Sequence, residues 1–145
     1  MYKRILVPLE HSDYDSAIVE HVRALARVHK SSVVLIHVAD GFAARNINQL
    51  NLRESEEMRA DRAYLERVSA EFTDAGFESD AILACGDPGT EIAAVAEREG
   101  CDLIAMATHG HKFLEDVVRG SVANEVRHRT RVPVLLVRGE KSSKS

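Results

Sequence analysis

The sequence predicts a doubly wound α/β fold, a parallel sheet with helices on both faces, and two observations carry that prediction. Short, near-continuous apolar runs recur along the chain, each too brief for a helix that buries itself and apolar enough for a strand covered on both sides. Between them lie longer segments in which apolar residues return every three or four positions, the spacing of an amphipathic helix.

Taken in order, Ile5 to Leu9 is the first strand, and Ala17, Val19, His21, Val22, Leu25, Ala26 and Val28 mark the first helix. Val33 to Val38 is the second strand. A helix from about Ser55 to Ala75 follows, with Met58, Ala63, Leu65, Val68 and Phe72 as core positions and Gly76 as its C-cap. Ala81 to Ala84 is a weaker third strand. The turn Asp87-Pro88-Gly89 opens a third helix through Ile92, Val95 and Ala96 that stops at Gly100. Leu103 to Met106 is the fourth strand, and a fourth helix begins near Ser121 with Val122, Ala123 and Val126. Pro133 then enters the last strand, Val132 to Val137.

Strict alternation of strand and helix favours parallel strands joined by right-handed crossovers. Such sheets hold ligands beyond the carboxyl ends of the strands, where the strand order reverses. The loops after strands one, two and four are therefore where chemistry is expected. Asp40 to Arg53 is polar and reads as a loop lying over that edge, while Gly139 to Ser145 is rich in Ser and Lys and reads as a disordered tail. Residues 1–138 are expected to form one domain, since the chain's 145 residues suffice for a single core and no linker divides them.

Composition narrows the function classes. A net charge of −4 gives no preference for nucleic acid or membrane, and no run approaches the roughly 18 apolar residues of a membrane span. Met1-Tyr2-Lys3-Arg4 runs straight into a strand without the features of a signal peptide, so a reduced, cytoplasmic setting is expected. Cys85 and Cys101 form no CxxC pair and are expected as small buried thiols. The seven histidines match no zinc signature. His37 reads as a satisfied core residue, and His21, His29 and His128 as helix-surface residues. Arg127, His128, Arg129 and Arg131 read as a solvated helix face.

The segment with chemistry in it leaves the fourth strand: Met106-Ala107-Thr108-His109-Gly110-His111-Lys112-Phe113, and then Gly120-Ser121-Val122-Ala123 at the head of the last helix. Glycines on either side of an anion let backbone amides approach phosphate oxygens, and Ser121 adds a hydroxyl at a helix N-terminus, where unpaired N–H groups favour negative charge. A plain turn followed by an N-cap accounts for the same residues, but their placement beside the expected switch point favours a phosphate cradle. His109 would shape the loop, and Lys112 and Arg119 flank it within reach of a terminal phosphate. Glu115 and Asp116 are candidates for Mg²⁺ beside the phosphates, although adjacent carboxylates usually face water. No general base is positioned in the sequence, so no catalytic residue is assigned and ATP hydrolysis would be slow at most.

From Tyr2-Lys3-Arg4-Ile5-Leu6-Val7-Pro8 to Val132-Pro133-Val134-Leu135-Leu136-Val137, the chain resembles a single-domain universal stress protein over residues 2 to 138. Nucleotide-binding members carry Gly, two residues, Gly, nine residues, then Gly-Ser or Gly-Thr. Gly110, the nine-residue spacer and Gly120-Ser121 match that pattern, while Ala107 stands where the first glycine would be. The resemblance implies the adenine nucleotide alpha-hydrolase-like fold with strand order 3-2-1-4-5, and ATP, AMP or ADP as ligand. It implies that Pro8, Leu9, Glu10 and Val38 line the adenine and ribose side. Glu10 takes the place of the usual Asp, and His11 that of a common small residue. Met106 is implied as a pocket wall, and Val122 and Ala123 as backbone donors near the phosphates. A homodimer through the last strand, Val132 to Val137, is also implied, and agrees with the unpaired edge that strand would otherwise leave. The expected function is a nucleotide-binding module of stress signalling with a protein partner. The alternative is an interaction module on the same fold that has lost the nucleotide, for which Ala107, Glu10 and His11 are the supporting departures.

Overall fold

A computed structural model describes residues 1–40, 56–109 and 122–139. The elements alternate as expected: β1 (Arg4–Pro8), α1 (Asp15–His29), β2 (Ser32–Asp40), α2 (Glu56–Asp74), β3 (Ser79–Gly86), α3 (Pro88–Arg98), β4 (Leu103–His109), α4 (Val122–Arg129) and β5 (Val134–Gly139). The five strands form one sheet in the order β3-β2-β1-β4-β5, with every neighbouring pair parallel.

The apolar runs of the inner strands are continuous because β1, β2 and β4 are buried on both faces, while the edge strands β3 and β5 are only partly covered. Ile5, Val7, Val33, Leu35, Leu103 and Ala105 point into a core with Ile18, Val22, Leu65, Val68 and Phe72, so α1 and α2 cover that side. The intervening Leu6, Val34, Ile36, Ile104 and Met106 pack on the other side against Ile92, Val95, Ala96 and Val126 of α3 and α4. The period-2 alternation of the pleat thus reads as two separate cores with no polar face between them.

Caps explain the helix ends. Asp87 accepts the Thr90 N–H at 3.0 Å, ahead of Pro88 in the first turn of α3. Gly76 follows α2 at φ 99°, the left-handed position expected of it.

Several expectations are corrected. The last strand is Val134–Gly139 rather than Val132 to Val137, because Pro133 gives only its carbonyl, to Ile104 N–H at 2.9 Å, and regular pairing with β4 begins one residue later. Gly139, assigned to a disordered tail, is a buried strand residue paired with His109. Cβ at that glycine would stand 3.1 Å from the Tyr14 carbonyl oxygen, so the close packing there suits a residue without one. In α1 the buried stripe is Asp15, Ile18, Val19, Val22 and Ala26, whereas Val28 is 76% exposed. In α2 it is Met58, Asp61, Leu65, Val68 and Phe72, with Ala63 outside it and an aspartate inside it. Cys101 is buried, and burial pushes its thiol up to about 11, but Cys85 on the edge strand β3 is exposed. The polar stretch Asp40 to Arg53, apart from Asp40 at the end of β2, lies outside the described residues, as do residues 140–145. No helix among the described residues is long and apolar enough to cross a membrane.

Candidate functional site

β1 and β4 are hydrogen-bonded neighbours only at Ile5–Leu103 and Leu6–Ile104. Beyond those pairs β1 stays with β2 as far as Pro8–Ile36, and β4 stays with β5 as far as His109–Gly139. The sheet splits where its order reverses, and a cleft of about 420 Å³ opens in the gap. Among the described residues its walls are Pro8 at the end of β1, Leu9 and Glu10 in the turn that follows, Ile36, His37 and Val38 from β2, and Met106, Ala107 and Thr108 from β4. Pro88 and Ile92 of α3, Val122 and Ala123 of α4, and Leu136 of β5 complete it. A largely apolar slot with a few polar groups at its rim suits a flat, partly polar ligand.

The turn after β1 is held from behind by two buried carboxylates. Asp15, 2% exposed at the head of α1, accepts the backbone N–H groups of Glu10, His11 and Ser12 at 3.0, 2.8 and 3.2 Å, and the Tyr64 hydroxyl at 2.7 Å. Burial, and then that bond to Asp15, push the Tyr64 phenol well above its ordinary range. Asp61, one turn earlier on α2 and 6% exposed, meets two imidazoles. His11 Nδ1 lies 2.8 Å from its Oδ1, and His37 Nε2 lies 3.2 Å from its Oδ2. His37 Nδ1 donates to the Leu9 carbonyl at 2.8 Å, and the His11 ring stacks on Tyr64 with centroids 4.2 Å apart. His37 is thus half-buried with a partner on each ring nitrogen, as a satisfied core histidine would be.

Of the residues singled out from the sequence, the fold brings Pro8, Leu9, Glu10, Val38, Met106, Ala107, Val122 and Ala123 around this one cleft. His109 ends β4, and nothing further is described of its side chain. Gly110, Lys112, Gly120 and Ser121 lie outside the described residues, and so do Glu115, Asp116 and Arg119. Ala107 pairs with Val137 inside β4 and has no positive φ, so a side chain there meets no left-handed strain. The small residue that His11 replaces has a clearer meaning, since His11 sits at φ 67°.

The sequence reading missed Ile36, His37, Thr108, Pro88, Ile92 and Leu136 as cleft residues. Pro88 and Ile92 follow strand three, whose loop was set aside although α3 crosses back over the switch point. Among the described residues no group of three or more His, Cys, Asp or Glu is arranged to hold a metal ion.

Comparison with known proteins agrees with this geometry. The model of the universal stress protein family matches residues 1–138. The chain belongs to the universal stress protein family. Universal stress protein MJ0577 of Methanocaldococcus jannaschii is 32% identical over 98% of this chain and 98% of its own. Its solved structure superposes with a TM-score of 0.79 at 31% identity, over 97% of this chain and 98% of that one. Two more distant members share the fold. One, solved in complex with cAMP, has a TM-score of 0.72 at 18% identity, covering 94% of this chain and 97% of that one. Another, from Archaeoglobus fulgidus and in complex with dAMP, has a TM-score of 0.68 at 19% identity, covering 94% and 98%. This universal stress protein therefore has the adenine nucleotide alpha-hydrolase-like fold, with the strand order 3-2-1-4-5.

Proposed function

We propose that this protein binds an adenine nucleotide in the cleft between β1 and β4 and acts as a regulatory module of the stress response. One observation carries the reading: in a universal stress protein, the parting of β1 from β4 opens an apolar slot of about 420 Å³ where the order of strands reverses. Relatives of the same fold, solved with cAMP and with dAMP, support an adenine nucleotide as the ligand class. The base would lie among Pro8, Leu9, Val38 and Met106, and Glu10 would accept from the ribose hydroxyls. The phosphates would meet the segment from Ala107 and His109 through Gly110 and Lys112 to Gly120, Ser121, Val122 and Ala123. ATP, ADP and AMP fit this reading, with Mg²⁺ beside Glu115 and Asp116 where the phosphate chain is long enough.

Binding rather than turnover is the proposed activity, in a cytoplasmic homodimer joined through β5 that signals to a protein partner. Titration calorimetry of the full chain with ATP, AMP and cyclic AMP tests it. Saturable heat at micromolar to millimolar ligand, abolished by Gly120→Val, is the expected result. No heat with any of the three would leave the interaction-module reading in its place.

A further inference from the structure

Asp61 does not line the cleft, yet both of its carboxylate oxygens are committed to residues that shape it. The position is unusual for a carboxylate. It falls in the buried stripe Met58, Asp61, Leu65, Val68, Phe72, where an apolar residue would stabilise α2 without desolvating a charge. What a charge supplies there is a pair of acceptors for two imidazoles from different segments. His37 reaches Asp61 from β2 while its other nitrogen donates to the Leu9 carbonyl, and both His37 and Leu9 are cleft wall. His11 reaches it from the turn after β1, in a left-handed conformation that costs energy unless the ring is held. Three positions on α2 separate Asp61 from Tyr64, so both face the same side of the helix, and Tyr64 stacks on His11 and bonds Asp15. Among the described residues the charged and titratable groups meeting at this point are His11, Asp15, His37, Asp61 and Tyr64, with Arg67 over the Tyr64 ring, from α1, α2, β2 and the turn after β1.

We propose that Asp61 is a positioning residue for the cleft: by gripping His37 and His11 from α2 it sets the Leu9 carbonyl and Glu10, so that ligand affinity depends on a side chain the ligand does not touch. This rests on the nucleotide reading above for its affinity arm only. The grip makes α2 part of the binding apparatus, and a ligand that presses on His37, Leu9 or Glu10 is felt by the helix.

The test compares Asp61→Ala, Asp61→Asn and Asp61→Leu in the full chain, with Leu65→Ala as a variant that weakens the same helix without touching the network. Asn keeps an oxygen for His11 and turns an N–H toward His37 Nε2, so it preserves the geometry with reversed polarity. Leu fills the stripe and removes both contacts, which keeps the comparison alive should Asp61→Ala fail to fold. The first readout is ¹⁵N NMR of the His37 ring in ligand-free protein. The hydrogen on Nδ1, held to Leu9, should persist in the parent and in Asp61→Asn and become mobile in Asp61→Ala and Asp61→Leu. The second is calorimetry with AMP, where Ala and Leu should weaken affinity about tenfold, Asn by much less, and Leu65→Ala not at all beyond what its lowered Tm accounts for. His37 signals that are the same in all four variants would overturn the proposal. Affinity that follows Tm alone, whichever residue is changed, would also overturn it. A parent chain that binds no AMP would instead remove the nucleotide reading, and the His37 spectra would still decide whether Asp61 fixes the ring.

Discussion

His11 shows how one residue can be unfavourable by itself and favourable in place. A non-glycine residue at φ 67° costs about 1 kcal/mol relative to the right-handed regions. Against that stand a hydrogen bond to a buried carboxylate, worth about 1.5 kcal/mol or more, and a ring stack on Tyr64 worth about 0.5 to 1 kcal/mol. His11→Gly relieves the first and loses the other two, while adding backbone freedom to the unfolded chain. The expected outcome is a net loss of about 1 to 2 kcal/mol, read as a lower urea midpoint at unchanged slope. Ala107 makes the opposite case. Because it sits in extended backbone paired with Val137, Ala107→Gly restores the glycine common in the family but should lower stability by about 0.5 to 1 kcal/mol. Nucleotide affinity should stay within twofold, measured by calorimetry; a large gain would mean that the methyl itself obstructs the ligand.

Among the elements, strands were more legible than their ends. Apolar runs identified all five, most plainly where burial on both faces leaves no polar alternation, yet β2 and β3 extend one or two residues beyond their runs at each end and β4 extends three beyond its own. Backbone pairing with a neighbour, which side chains do not report, sets those ends. Helical periodicity found the right faces of α2 and α3 but mistook Ala63 for core, since hydrophobicity was counted more strictly than spacing. Spacing alone would have drawn attention to Asp61, three residues after buried Met58 and four before buried Leu65. The wall of the cleft was legible from strand order and family pattern, whereas the grip behind it joins residues 24 and 50 positions apart and leaves no local signal. Asp102, just before β4, is another such long-range tie, accepting the N–H groups of Lys3 and Arg4 at 2.9 to 3.1 Å where β1 begins. Burial works to raise its pKa, but the backbone donors outweigh it and hold the carboxyl below its ordinary range. A depressed folded-state pKa stabilises the fold above the unfolded value of about 3.9, and that contribution is lost as pH falls through the folded value. Stability should therefore drop below about pH 4. The fall in urea midpoint between pH 7 and pH 3 should be smaller in Asp102→Asn than in the parent. Asp87, held low by the Thr90 N–H and hydroxyl, supplies the part that remains.

At the scale of the whole molecule, an open five-stranded sheet has two edges, β3 and β5, and the two differ in character. β3 carries exposed Asp80 among its residues and ion-pairs it with Arg4, so a charge stands on that edge and discourages pairing with another sheet. β5 reads Val-Leu-Leu-Val-Arg-Gly, with its charge only near the end, and Leu136 is 50% exposed. An apolar edge strand of this kind is stable in water when a second copy covers it, and a twofold axis does so with the same strand from both chains. The protein is expected to run at twice the chain mass by light scattering across micromolar concentrations. Leu136→Glu should shift that mass toward the monomer. Because Leu136 also lines the cleft, the shift must be read beside Arg138→Glu, which changes an exposed residue of the same strand outside the cleft and should weaken the dimer without altering nucleotide affinity. If both variants stay at the parental mass, the strands do not meet and the edge is covered some other way. If both become monomeric and only Leu136→Glu loses ligand, the edge and the cleft are independent uses of one strand.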